Sequence, residues 1–180
     1  ARIVGDFSNG NDGIVLRGKS ALADIAGQSV NLVELSVSHY LLARALDSVD
    51  LKEADITVVN PSDADIVAAF TTPDVTATVT WNPLLSEIEA FPDAHKVFDS
   101  SKIPGEIIDI MMVNTETLRD NPECGKALVA AWYDAMTPMA KETGDEAPAR
   151  SAMAEASGTD LAGFNAQLAT TQMFYEPADA

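Results

Sequence analysis

A single cysteine, Cys124, in 180 residues excludes an internal disulfide and a multi-cysteine metal site. The two histidines, His39 and His95, lack the spacing of a zinc pair. Basic residues are scarce: 11 Lys and Arg stand against 28 Asp and Glu, a net charge of −17. A field of that sign repels phosphate backbones and anionic lipid, so nucleic acid is not an expected partner. The acidic residues are dispersed, which suits a solvated surface better than an interaction tail. Although 47% of the chain is apolar, no uninterrupted apolar run approaches the roughly 20 residues a bilayer span needs, and direct membrane insertion is not expected. No charged-then-apolar leader opens the chain, so any leader is expected outside it. GxGxxG, GxSxG and HExxH are missing and no phosphate-binding P-loop is expected, so catalysis has no positive support and no cofactor or metal is expected. Cys124 falls inside a helical pattern, where inert burial outranks nucleophilic use.

What is present reads as alternating strands and helices followed by helices alone. The run VNLVEL (30–35) predicts a short buried strand. Leu42, Ala45, Leu46 and Val49 fall at i, i+3, i+4 and i+7, predicting a helix over 38–49. Residues 56–59 predict the next strand. Ser62, three before Asp65, looks like a capping box for a helix over 64–71 that Pro73 stops. Residues 75–81 alternate in the manner of a strand, and 96–98 and 107–113 supply further short ones. Strand, helix, strand, helix, strand implies parallel crossovers and an α/β class. After Asn114 only helices are expected. Asn121 and Pro122 start one whose face carries Leu128, Ala131, Trp132, Ala135, Met136 and Met139; others cover 147–156 and run from Thr159 or Asp160 towards Met173. Both ends read as cut: residues 1–7 begin inside a strand, and Glu176-Pro177-Ala178-Asp179 resembles a first helical turn without a body. A longer gene product is expected.

In parallel α/β sheets, ligands bind beyond the carboxyl ends of strands, where helix N-termini offer free N–H groups. Two stretches meet that description. VNLVEL runs into Ser36-Val37-Ser38-His39, which offers two hydroxyls, an imidazole and backbone donors to an oxyanion or carbonyl; Ser36 or Ser38 acting only as a helix cap is the alternative. The 75–80 strand ends in Trp81-Asn82-Pro83, an aromatic wall beside an amide, although Trp81 fits core packing equally well. Ser8-Asn9-Gly10-Asn11-Asp12-Gly13 is a tight connection, usable as a hinge or ligand loop or simply as a turn. It fails the calcium-loop pattern. Glu106, after Pro104-Gly105, could accept N–H donors from an amide or amidine, or stand exposed.

The succession Asp24-Ile25-Ala26-Gly27-Gln28-Ser29-Val30, Ser36-Val37-Ser38-His39-Tyr40-Leu41-Leu42 and Val79-Thr80-Trp81-Asn82-Pro83 resembles the nitrate, sulfonate and taurine type of ABC-importer binding proteins, related to thiamine-pyrimidine-precursor binders. Glu34-Leu35-Ser36 departs from that family's usual Gly-Ser start. The stretches SNGNDGIV, VELSVSHYLLARAL, SDADIVAAFTTPDVTA and PGEIIDIMMVNTETL are more specifically similar to binding proteins encoded beside urea carboxylase. The resemblance implies a type II periplasmic-binding-protein-like α/β fold with two lobes. Residues 14–109 would form one complete α/β lobe, and 1–13 with 110–180 the mainly helical part of the other. It also implies a periplasmic protein that captures a small polar ligand, of the urea, guanidine or amide kind, between lobes and delivers it to an inner-membrane ABC permease without chemistry. Asn9, Asn11, Ser36, Ser38, His39, Trp81, Asn82 and Glu106 would line the site. The rivals on this scaffold are a LysR-type effector domain and an enzyme like the pyrimidine synthases; the charge of −17 and the absence of a His/Cys cluster weigh against them.

Overall fold

The computed structural model describes residues 2–141, 147–176 and 178. The chain divides into two compact units, Ser8–Ile107 and the pair of segments Ala1–Phe7 and Ile108–Ala180.

In the Ser8–Ile107 unit, β2 (Asp12–Arg17), β3 (Ser29–Asn31), β4 (Thr57–Val59), β5 (Ala77–Trp81) and β6 (Ala94–Asp99) form one sheet in the order β4-β3-β5-β2-β6. β3 pairs in parallel with β4 and β5, the outcome of strand–helix–strand crossovers, whereas β2 runs antiparallel to β5 and β6. Helix α1 (Val37–Asp47) brings Leu41, Leu42, Ala45 and Leu46 against Ile14, Leu16, Val30, Leu32, Ala77 and Val79, all buried. Each buried valine, leucine or isoleucine among them stabilises the fold by about 1.5–3 kcal/mol relative to exposure. On the opposite face, Val15 meets Phe70 of α2 (Ile66–Phe70) and Leu85 and Ile88 of α3 (Leu84–Glu89). β2 is therefore buried on both faces, and its unbroken Gly13-Ile14-Val15-Leu16 run has no alternation from which the strand could be read. Arg17 closes this layer. It forks onto Asp93, donates to the Phe70 carbonyl and stacks its guanidinium 4.3 Å from the Phe70 ring centre.

Two expectations are corrected here. The 30–35 run is a strand only over Ser29–Asn31, because the chain then turns, with Leu35 at φ +60°. The expected capping box at Ser62 does not form. Its hydroxyl donates to Asp65 Oδ2 at 2.7 Å instead of accepting a backbone N–H, so Asp63–Asp65 is a 3-10 turn and the α-helix starts only at Ile66.

In the other unit, β1 (Arg2–Ser8) lies between β7 (Ile108–Met112) and β8 (Thr171–Met173). Gly5 admits Trp132 of α5 (Pro122–Lys141): a Cβ there would stand 2.8 Å from its ring. Asn114 Oδ1 caps α4 (Thr115–Asp120) by accepting from the N–H groups of Glu116 and Thr117. Arg150, on α6 (Pro148–Ala156), donates twice to the Met139 carbonyl in the last turn of α5 and once to Asn165 Oδ1 on α7 (Leu161–Leu168). That joins three helices and satisfies an acceptor the helix end leaves open. The expectation of helices alone after Asn114 fails at β8. The 160–173 segment is a helix only to Leu168, after which Phe174 donates its N–H to the Gly5 carbonyl and packs its ring 6.0 Å from that of Phe7. The helix start expected at Glu176-Pro177-Ala178-Asp179 lies largely outside the described residues.

Candidate functional site

The chain leaves β3 and reverses into α1 through a turn whose polar groups are mostly spoken for. Ser36 is the N-cap: its Oγ accepts the Ser38 N–H at 3.1 Å and donates to the Val33 carbonyl at 2.7 Å. The Ser36 carbonyl accepts the His39 and Tyr40 N–H groups. Leu35 donates its N–H to His39 Nδ1 at 3.2 Å, so the ring proton sits on Nε2, which faces Glu53 Oε2 at 3.1 Å. His39 is thus committed on both nitrogens to holding the turn. Left over in this turn, among the described residues, are the Ser36 and Val37 N–H groups and the hydroxyl of fully buried Ser38. Leu35 is 94% exposed.

The 8–12 connection is held from below. Buried Ser8 donates to Asp12 Oδ2 at 2.5 Å and meets Ser100 Oγ at 2.6 Å, and Ser100 Oγ also accepts the Gly10 N–H at 2.8 Å. Gly10 sits at φ +108°, a conformation that a side chain would strain. Asn9 is exposed and Asn11 half-buried. The Asn11 carbonyl accepts the Asn82 N–H at 2.9 Å, next to the paired positions Asp12 and Trp81, so this loop and Trp81-Asn82 are direct neighbours. Asn82 Oδ1 accepts from the N–H and hydroxyl of Ser86, which ties the amide to the first turn of α3. Trp81 is half-buried.

Glu106 is joined to α1. Arg44 donates Nε–H to Oε2 at 2.7 Å and Nη2–H to Oε1 at 3.0 Å, and the Tyr40 hydroxyl donates to Oε2 at 2.6 Å. The Arg44 bonds first, and then the Tyr40 bond, pull the Glu106 carboxyl down from 4.5 to about 2; the same carboxylate raises the Tyr40 hydroxyl. Tyr40 and Arg44 escaped the sequence reading. Their i, i+4 spacing on an exposed helix face was visible, but a carboxylate more than 60 residues away was not.

The strand directions gather these groups. β3 and β5 are parallel neighbours, so the α1 turn and Trp81-Asn82 leave the sheet at the same carboxyl end. β2, antiparallel to β5, enters there and brings Asn9 and Asn11 with it. An open depression of about 530 Å³, lined by Arg44, Asp47, Ser48, Phe98, Lys102 and Ile103, contains none of the eight expected site residues. The letters GIVLRGKS (13–20) fit GxxxxGK[ST], but Ile14, Val15 and Leu16 are wholly buried in β2, so no phosphate-cradling loop exists there. Among the described residues, no three His, Cys, Asp or Glu side chains are placed to hold a metal ion, and no helix is long and apolar enough to cross a membrane.

No known family profile matches the chain. Over 118 residues it is 25% identical to the taurine-binding periplasmic protein of Escherichia coli (strain K12), a match covering 64% of this chain and 36% of that protein. The crystal structure of the periplasmic aliphatic sulphonate binding protein SsuA from Escherichia coli superposes with a TM-score of 0.75 at 21% identity, covering 98% of this chain and 59% of that one. The crystal structure of the desulfurization enzyme DSZB superposes at 0.63 with 18% identity, covering 98% and 64%. The structural likenesses establish the periplasmic-binding-protein-like α/β fold. The chain is similar to periplasmic sulfonate- and taurine-binding proteins of ABC importers, and its match spans little more than a third of the length of that curated relative.

Proposed function

We propose that the chain is the ligand-binding part of a periplasmic solute-binding protein of an ABC importer, and that its solute is a small organic anion of the sulfonate type. The observation that carries this reading is the turn opening α1. An 11-residue helix starts at the carboxyl end of the sheet with its Val37 N–H unspent, where the helix dipole favours negative charge. The taurine- and sulphonate-binding relatives support the same ligand class. Ser36 and Ser38 belong to this anion-facing turn, and His39 fixes it. Trp81, Asn82, Asn9 and Asn11 border it from the neighbouring strands. Glu106 positions α1 through Arg44 and Tyr40 instead of receiving a ligand donor. The urea, guanidine or amide ligand implied by the sequence pattern finds no support among the relatives, and the carboxylate it relied on already holds three hydrogen bonds. We read Ser8–Ile107 as one lobe, Ala1–Phe7 with Ile108–Ala180 as part of the other, and an inner-membrane permease as the partner.

A thermal-shift and titration series on the full-length protein with taurine, butanesulfonate, nitrate, urea and guanidinium tests this. A saturable rise in melting temperature with a sulfonate, and recovery of that sulfonate chemically unchanged, is expected. A rise with urea or guanidinium and none with the anions would overturn the ligand class, and turnover of the ligand would overturn the binding role.

A further inference from the structure

We propose that Leu35 is a specificity-determining residue whose side chain is covered by an alkyl or aryl group of the bound anion; this rests on the ligand site proposed above. Three properties coincide at this residue. Its φ of +60° lies where a Cβ clashes with the following carbonyl and where glycine sits without cost. Among the described residues, the other non-glycine at positive φ is Asp50, a type that tolerates the conformation through its short polar side chain, as leucine does not. The side chain is 94% exposed, so the fold gains no packing from it.

The conformation is nevertheless held from both sides. Glu34 donates its N–H to Asn60 Oδ1 at 2.9 Å and accepts from Asn60 Nδ2 at 3.4 Å. Leu35 donates to His39 Nδ1, and Ser36 donates to the Val33 carbonyl. A bulky apolar group is thus fixed in a strained and unshielded position, the pattern expected where strain serves a contact made with something else. Val37, 46% exposed, and Tyr40, 44% exposed, extend the apolar surface along α1, and the open Val37 N–H lies two residues from Leu35. One small molecule with an anionic head and an apolar tail satisfies both features. A bare inorganic anion, or a sulfonate whose short tail ends in an ammonium group, leaves Leu35 in water.

The test is calorimetric titration of the full-length protein with methane-, butane- and hexanesulfonate, using wild type, Leu35→Gly and Leu35→Ala. In wild type, affinity is expected to rise about three- to four-fold per methylene, the value of burying one CH₂ group. In both variants that slope is expected to fall below about two-fold, with melting temperatures confirming that they fold. Equal affinity for all three ligands in wild type, or an undiminished slope in Leu35→Gly, overturns the assignment of Leu35 while leaving a sulfonate site intact. Failure of wild type to bind any of the three overturns the sulfonate reading itself and the inference with it.

Discussion

Asp6 on β1 and Asp109 on β7 stand directly opposite one another in an antiparallel ladder, and their carboxyl groups share a hydrogen bond. Burial, then the Asp109 charge and that bond, push the Asp6 carboxyl up from 3.8 to about 6. The folded state therefore holds this proton more tightly than the unfolded chain does. Its contribution to stability is fully present below pH 3.8 and is lost as the pH rises through about 6. Asp6→Asn is expected to raise the melting temperature near neutral pH and to flatten its pH dependence over that window. Parallel melting curves for the two proteins would contradict the raised Asp6 carboxyl.

The opposite sign holds at Glu106. Its carboxyl is depressed, so the stabilisation it provides is present above pH 4.5 and is lost as the pH falls towards about 2. Arg44→Gln removes the first cause of that depression. Carboxyl-carbon NMR is expected to find Glu106 titrating closer to 4.5 in the variant, and an unchanged midpoint would contradict the forked contact.

Gly5→Ala drives a methyl group to 2.8 Å from the Trp132 ring. Neither the β1 backbone nor a tryptophan on α5 yields easily, so a loss of about 1–3 kcal/mol is expected in urea denaturation. A neutral result would mean that the indole moves freely in its place.

The hydroxyls of Thr78 and Thr80 are buried on β5 without a hydrogen-bond partner among the described residues. Thr78→Val replaces an unsatisfied hydroxyl with a methyl group of similar shape and is expected to stabilise the protein by about 1 kcal/mol. Destabilisation of that size would reveal an ordered partner for the hydroxyl, such as an internal water.

Much of this architecture could be read from local chemistry. The spacing of Leu42, Ala45 and Leu46 gave α1, and Asn121-Pro122 gave the start of α5, because a helix writes its period and its ends into neighbouring residues. Where the determinant was distant, the reading failed. β2 carries no alternation because both its faces are covered, and β8 exists because β1 offers it an edge. The site divides in the same way. Ser36, Ser38 and His39 could be picked out from a strand running into a helix. That His39 would spend both nitrogens on the turn, that Leu35 would occupy positive φ, and that Glu106 would be taken by Tyr40 and Arg44 all depend on how the chain returns to α1.

An amide NMR titration of the full-length protein with hexanesulfonate reads the α1 turn itself. Saturable shifts centred on the backbone amides of Leu35, Ser36 and Val37 are expected, with smaller ones at Trp81 and Asn82. Saturable binding that leaves the Leu35–Val37 turn unmoved and shifts another surface would contradict an anion site at this turn.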